Sequence, residues 1–108
     1  MAASKPVPTL VIYRPKAGKE AELQPLVEKH WPTLNSVGLV TNEPAKLWLA
    51  KDTRAGKSFF VEMFSWKDGE ASNIAHQTPE VMAIWEPMGP ILEDLQIAEV
   101  EPVSSAKA

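Results

Sequence analysis

Two histidines carry most of the acid–base chemistry available to this sequence of 108 residues, which contains no cysteine. His76 lies between two tryptophans in the chain, after Trp66 and before Trp85. A neutral imidazole can donate or accept a proton near neutral pH, which suits a cleft lined with aromatic rings. His76 is therefore the candidate catalytic residue. The alternative is a boundary histidine that bonds a backbone carbonyl or Glu80.

The four tryptophans could line a pocket for a small apolar molecule. Trp31 and Trp85 fall on predicted helical stripes, and the other two fall on predicted strands. Aromatic residues at such positions also serve as core or interface anchors, which is the alternative interpretation. The candidate substrate-binding residues are Trp31, Trp48, Trp66, Trp85, Tyr13 and His30. For the last two, simple packing within the core is the alternative.

Glu62 is the unusual acidic residue, because it interrupts an otherwise largely apolar predicted strand. Two positions are open to it. We favour the first, in which it faces solvent near a sheet edge. In the second it is a buried carboxylate with a functional role, since perturbed ionisable groups cluster at functional sites.

Composition excludes several classes of function. Eleven Lys and Arg against fourteen Asp and Glu give a net charge of −3 without a basic stripe, which argues against nucleic-acid binding. Thiolate metal centres need cysteine, and the two histidines have no paired-ligand spacing, so we expect no metal and no cofactor. Apolar runs are too short for a membrane span, and residues 1–8 do not look like a signal peptide. A cytoplasmic protein is the expectation.

The strands that must position these side chains follow from the hydrophobic pattern. Residues 9–14 are β-branched or aromatic and read as a strand buried on both faces. Residues 46–51 and 58–66 form a predicted hairpin around a turn rich in polar residues. Residues 95–101 alternate apolar with polar or small side chains, as a half-exposed strand does.

Helices are predicted between these strands. The first starts near Lys19, and its apolar side chains recur at three- and four-residue spacing. Pro25 and Pro32 lie off this stripe and each removes a backbone donor, so we expect a kinked or two-piece helix. Gly38 is the predicted stop.

The second helical region begins at Asp68, a predicted N-cap, and places Ala71, Ile74 and Ala75 inward. It starts again at Thr78, which is followed by a proline suited to a first helical turn.

The resulting order, βαββαβ, predicts an α+β fold of the ferredoxin-like kind, a four-stranded antiparallel sheet with both helices on one face. The first and third strands are apolar on both faces, so the second face needs a cover, and a second copy of the chain in a homodimer supplies it. We expect the domain to span residues 9–102, with residues 1–8 and 103–108 mobile.

The βαββαβ order and one sequence run also resemble a known family. The run leads from Phe59 through Trp66-Lys67-Asp68 to Ala75-His76-Gln77-Thr78-Pro79-Glu80. It is similar to the dimeric α+β barrel superfamily, and within it to the antibiotic biosynthesis monooxygenase-like group. The resemblance implies a homodimer and places His76 at the family's helix histidine, facing a pocket between helices and sheet. The family's haem-degrading members carry an Asn on the first strand that this sequence lacks, so haem is not expected.

Two functions are compatible with this resemblance. The first is a cofactor-free, monooxygenase-like enzyme in which His76 moves a proton and the tryptophans shape an apolar pocket. The second is a non-catalytic barrel that binds a small apolar ligand or only assembles.

Overall fold

The computed structural model describes residues 5–101 and residue 103. The four strands are β1 (Val7–Pro15), β2 (Lys46–Lys51), β3 (Ser58–Trp66) and β4 (Leu92–Glu99). The helices are α1 (Glu20–Ser36), α2 (Ala71–Ala75) and α3 (Pro79–Met88), and a single 3-10 turn (Gly89–Ile91) leads into β4.

The strands form one antiparallel sheet in the order β2-β3-β1-β4. On β1, Tyr13 lies opposite Phe60 of β3 and Leu95 of β4. Directly opposed residues in an antiparallel pair share a face of the sheet, so these three side chains lie on one side. The helices pack on that side, where they bury Val11 and Phe64. The predicted ferredoxin-like α+β arrangement is confirmed.

Helix α1 is one continuous element of 17 residues with Pro25 and Pro32 inside it, so of the two expected forms, kinked or two-piece, the two-piece helix is not formed. Both proline rings are exposed. Each proline lacks the N–H that would bond a carbonyl of the preceding turn, and on this exposed side of the helix water can bond that carbonyl instead. The buried stripe through Leu23 and Leu34 continues past both prolines. The helix ends at Ser36, and the predicted stop, Gly38, follows two residues later with a φ of 75° that favours glycine.

Helix α2 is only five residues long, and this changes one prediction. Ala71 and Ala75 are buried as expected, but Ile74 is 46% exposed, so its predicted inward position is wrong. A helix of this length presents one narrow side to the core. Asp68 acts near the start of this region, where its carboxylate accepts a hydrogen bond from the backbone N–H of Glu70 at 2.9 Å.

The ends of the domain differ in detail from the prediction. Strand β1 begins at Val7, two residues before the predicted start at residue 9, and β4 ends at Glu99. Of the segments predicted to be mobile, residues 1–4 and 104–108 lie outside the described residues, as does residue 102. Within the described part of the chain, no helix has the length and apolar character needed to cross a membrane.

Candidate functional site

A cavity of about 420 Å³ lies between the helices and the β1–β4 half of the sheet. Its floor comes from alternate residues of the two strands, which share the helix-covered face: Thr9, Val11, Tyr13, Leu95 and Ile97. Helical residues and the end of β3 complete the wall: His30, His76, Trp85, Met88 and Trp66. Pockets for small molecules usually enclose about 300–1,000 Å³, with mostly apolar walls and a few polar groups. This cavity fits that description.

The polar groups at the inner wall form a compact cluster around Glu62. The hydroxyl of Tyr13 donates a hydrogen bond to Oε1 of Glu62 at 2.6 Å, and Nδ1 of His30 lies 2.9 Å from the same oxygen. The Tyr13 oxygen and Nδ1 of His30 are 3.1 Å apart. All three residues are at most 3% exposed. Buried polar groups are costly unless they are hydrogen-bonded, and here each partner satisfies the others.

A fourth residue, Trp85, fixes the proton positions in this cluster. Its indole Nε1–H donates to Nε2 of His30 at 2.8 Å. An indole nitrogen is only a donor, so Nε2 must present a lone pair and the ring proton sits on Nδ1. The Nδ1–H then donates to Glu62, which accepts from both His30 and Tyr13. His30 is therefore assigned as the neutral Nδ1–H tautomer.

Burial and charge keep the phenol of Tyr13 protonated. Burial raises the pKa of Tyr13 well above its usual value, and the negative charge of Glu62 and the hydrogen bond to it raise that pKa further. At neutral pH, Tyr13 is thus a hydrogen-bond donor to Glu62.

The strand register explains how these side chains meet. Glu62 lies opposite Val11 on the neighbouring strand, two residues from Tyr13 on the same face. On α1, His30 belongs to the buried stripe between Val27 and Leu34. The favoured interpretation of Glu62 as a solvent-facing edge residue is wrong, because β3 lies between β2 and β1 rather than at an edge.

Five of the seven candidate site residues lie around the cavity: Tyr13, His30, Trp66, His76 and Trp85. The structure places the other two elsewhere. Trp48 is 46% exposed and lies opposite Val61, on the sheet face away from the helices. Trp31 packs against the core, and its buried Nε1 has no hydrogen-bond partner among the described residues.

His76 lies at the exposed rim of the cavity, with its ring centroid 4.8 Å from that of Trp85. Within residues 5–101 its imidazole makes no hydrogen bond, so the alternative contacts with a backbone carbonyl or Glu80 are not formed. Of the two histidines, His76 is the one whose ring nitrogens make no hydrogen bond within the described residues. Across the same residues, no group of three or more histidine or acidic side chains is placed to hold a metal ion.

Glu62 is the residue of the buried cluster that the sequence analysis placed wrongly. The sequence pattern that indicates its burial is the alternation along β3, because Phe60, Glu62 and Phe64 share one face of the strand and all three are buried. An acidic residue flanked two positions away on both sides by phenylalanine follows the apolar face of its strand.

Comparisons with known proteins bear on the fold. No protein-family model matches the sequence, and no curated protein matches it. Solved structures do match. An antibiotic biosynthesis monooxygenase superposes with a TM-score of 0.69 at 15% identity, covering 90% of this chain and 98% of that one. The chain has the fold of the antibiotic biosynthesis monooxygenase-like proteins.

Two further structures share this fold. SnoaB from Streptomyces nogalater, a cofactor-independent oxygenase, has a TM-score of 0.65 at 13% identity and covers 94% of this chain and 98% of its own. Rv0793 from Mycobacterium tuberculosis has a TM-score of 0.68 at 14% identity, with coverage of 94% and 99%. The resemblance predicted from the sequence is thereby confirmed as a likeness of fold.

Proposed function

We propose that the protein is a cofactor-independent, oxygenase-like enzyme that acts on a small apolar or phenolic molecule in the cavity between helices and sheet. The observation that carries this proposal is the cavity itself, in which apolar walls meet a buried Tyr13–Glu62–His30 cluster. The fold shared with SnoaB, a cofactor-independent oxygenase, supports the reaction class. We place the activity in the cytoplasm, as expected from the sequence.

The proposed chemistry begins with loss of a phenolic proton, because a phenolate is electron-rich enough to react with oxygen. His76 is the proposed proton acceptor at the rim, since its ring nitrogens make no hydrogen bonds within the described residues. Trp66 and Trp85 offer aromatic faces against which a planar ligand can stack. An apolar cavity also keeps water away from the reacting centre.

Oxygen uptake tests this proposal directly. A panel of hydroquinones and naphthols is incubated with the protein in an oxygen-electrode cell, and the products are identified by mass spectrometry. We expect uptake with at least one compound, and its loss in His76→Ala with folding stability nearly unchanged. Gln77→Ala is the matched control, because Gln77 is the exposed neighbour of His76 and is not a cavity residue. Equal uptake by His76→Ala and the wild type would remove His76 from the reaction.

A second function, a non-catalytic barrel that binds a small ligand, is favoured by one observation. Both ring nitrogens of His30 and the hydroxyl of Tyr13 already have partners within the chain. Tight ligand binding in a calorimeter without oxygen uptake by any compound in the panel would support this alternative.

We also propose that the protein is a homodimer joined through the uncovered face of its sheet. The register puts six large apolar side chains on the face away from the helices: Leu10, Ile12, Trp48, Phe59, Val61 and Met63. A second copy would cover this surface, and stable interfaces bury roughly 1,600 Å² in total. Light scattering on a chromatography peak should give twice the chain mass of 11.9 kDa. A single-chain mass at micromolar concentration would rule the dimer out.

A further inference from the structure

The buried pair formed by Glu62 and His30 has no part in the proton transfer assigned to His76. Its geometry is nevertheless that of a general base. The carboxylate holds the Nδ1–H of His30 at 2.9 Å, which leaves the other ring nitrogen, Nε2, with a lone pair. His30 lines the same cavity as His76, at its buried end.

Within the described residues, Trp85 makes the hydrogen bond that holds this lone pair. The indole N–H of Trp85 donates a hydrogen bond to Nε2 of His30 at 2.8 Å, and the indole ring also lines the cavity. A ligand hydroxyl can donate to the same nitrogen in place of the indole. The bond at Nε2 is then replaced by an equivalent one, and the exchange is inexpensive when the freed indole N–H of half-buried Trp85 turns to water.

We propose that Trp85 is a gate over a Glu62–His30 base, and that a phenolic ligand displaces the indole N–H from Nε2 of His30 and gives its own proton to that nitrogen. This rests on the proposed function in one respect, since it requires a phenolic occupant of the cavity. His30 is then a second catalytic residue, at the inner end of the cavity, and Glu62 is a positioning residue that acts through it.

The surroundings of Trp85 suit a movable side chain. The residue is half-buried, whereas the three residues of the cluster behind it are fully buried. It sits in the last turns of α3, where Pro87 supplies no backbone N–H and leaves one helical hydrogen bond unmade. Its ring contacts His76 at the exposed rim as well as the buried core around His30.

The proton transfer balances without any further reactant. The O–H bond of the phenol breaks, a new N–H bond forms at Nε2 of His30, and the electron pair stays on the phenolate oxygen. His30 becomes an imidazolium with protons on both nitrogens. Its Nδ1–H remains donated to Glu62, whose negative charge stabilises the new positive charge.

Two matched probes test the gate. The first is 4-nitrophenol, whose ionised form is yellow, and the second is 4-nitroanisole, which has no O–H to donate. Binding is followed by calorimetry, the Trp85 indole N–H and the His30 ring nitrogens by NMR, and ionisation by visible absorbance at a pH below the pKa of the free phenol. We expect 4-nitrophenol to shift the indole resonance, place a proton on Nε2 and turn yellow when bound. We expect 4-nitroanisole to bind and leave the Trp85–His30 hydrogen bond in place.

Variants separate His30 from the other candidates. Trp85→Phe removes the competing N–H and should tighten 4-nitrophenol binding about fivefold, the equivalent of one ordinary hydrogen bond. Trp66→Phe, the same change in the same cavity, should not tighten it. Glu62→Gln should bind the probe without colour, and Gln77→Ala, a change at an exposed residue outside the cavity lining, should keep the colour.

The outcomes that overturn the inference differ from those that overturn the proposed function. If 4-nitrophenol binds but stays colourless with the Trp85–His30 bond intact, the gate is wrong while the cavity remains a ligand site. If the colour is lost in His76→Ala and kept in Glu62→Gln, the base is His76 alone. If neither probe binds, the proposed function fails and the gate fails with it.

Discussion

Replacing Tyr13 by phenylalanine removes a single hydroxyl from the buried cluster and leaves the ring in place. That hydroxyl donates to Oε1 of Glu62 at 2.6 Å in a site where both residues are at most 3% exposed. The acceptor keeps its second bond, from Nδ1 of His30. The change therefore measures one short, buried hydrogen bond to a carboxylate.

The expected cost follows from the kind of bond that is lost. Hydrogen bonds to charged groups contribute about 1.5–3 kcal/mol to folding, so we take the loss for Tyr13→Phe as about 2 kcal/mol. A domain of this size unfolds with an entropy of roughly 0.2 kcal/mol/K, which converts that loss to a drop in Tm of roughly 9 °C. Total stabilities are typically about 5–15 kcal/mol, so the variant should still fold.

Urea and thermal unfolding followed by circular dichroism measure this loss. Thr9→Val is the matched control, because Thr9 lies on the same face of β1, is 1% exposed and donates a neutral hydrogen bond to the carbonyl of Val7 at 3.0 Å. Its loss should cost about 1 kcal/mol, less than that of Tyr13→Phe. If Tyr13→Phe proves no more costly than Thr9→Val, then Glu62 does not carry the charge assigned to it.

Three further predictions concern other features. Tyr13 is the only tyrosine, and its pKa is raised in the folded protein, so it should stay protonated above pH ~10 while the urea-unfolded chain ionises near that value. The contribution of protonated Tyr13 to stability is complete below pH ~10 and is lost as the pH rises through the pKa of the folded protein. Ultraviolet difference absorbance follows the ionisation. Identical titration curves for the folded and unfolded chains would contradict the argument from burial. Ile12→Lys places a charge in the middle of the uncovered sheet face and should give monomers by light scattering. The control, Lys51→Glu at the end of edge strand β2, should remain a dimer. If both variants are dimers, the interface lies elsewhere. Gly38→Ala should lower the free energy of unfolding by about 1 kcal/mol in urea, because φ is 75° there, and an unchanged midpoint would show that the turn relaxes.

The elements of this fold could be predicted because each depends on residues close together in sequence. The buried stripe of α1 and the hairpin of β2 and β3 follow from spacings of two to four residues, and both are present. Pro25 and Pro32 predicted a kinked or two-piece helix, and the two-piece form does not occur because a proline on a solvent face costs little once the stripe beneath it is buried. The inward position predicted for Ile74 is wrong because a helix of five residues presents only one narrow side to the core.

The site was only partly predictable, since its contacts join residues that are far apart in the chain. Tyr13 meets Glu62 across 49 positions, and His30 meets Trp85 across 55. Each of these residues except Glu62 was a candidate, but a single sequence carries no distance information that would join them. Glu62 in particular has no local partner, so its burial becomes understandable only when β1 and α1 are in place.

The bonds of the buried cluster also bear on how the chain selects its strand pairing. They tie together β1, β3, α1 and α3, one residue from each. A slip of β3 by a single residue against β1 would turn Glu62 to the opposite face and bring Val61 or Met63 beneath His30. That alternative pairing leaves a phenol and an imidazole buried without an acceptor, whereas a purely hydrocarbon core would tolerate it more easily. The carboxylate that holds Tyr13 and His30 at the cavity wall therefore also favours the native pairing of β3 with β1.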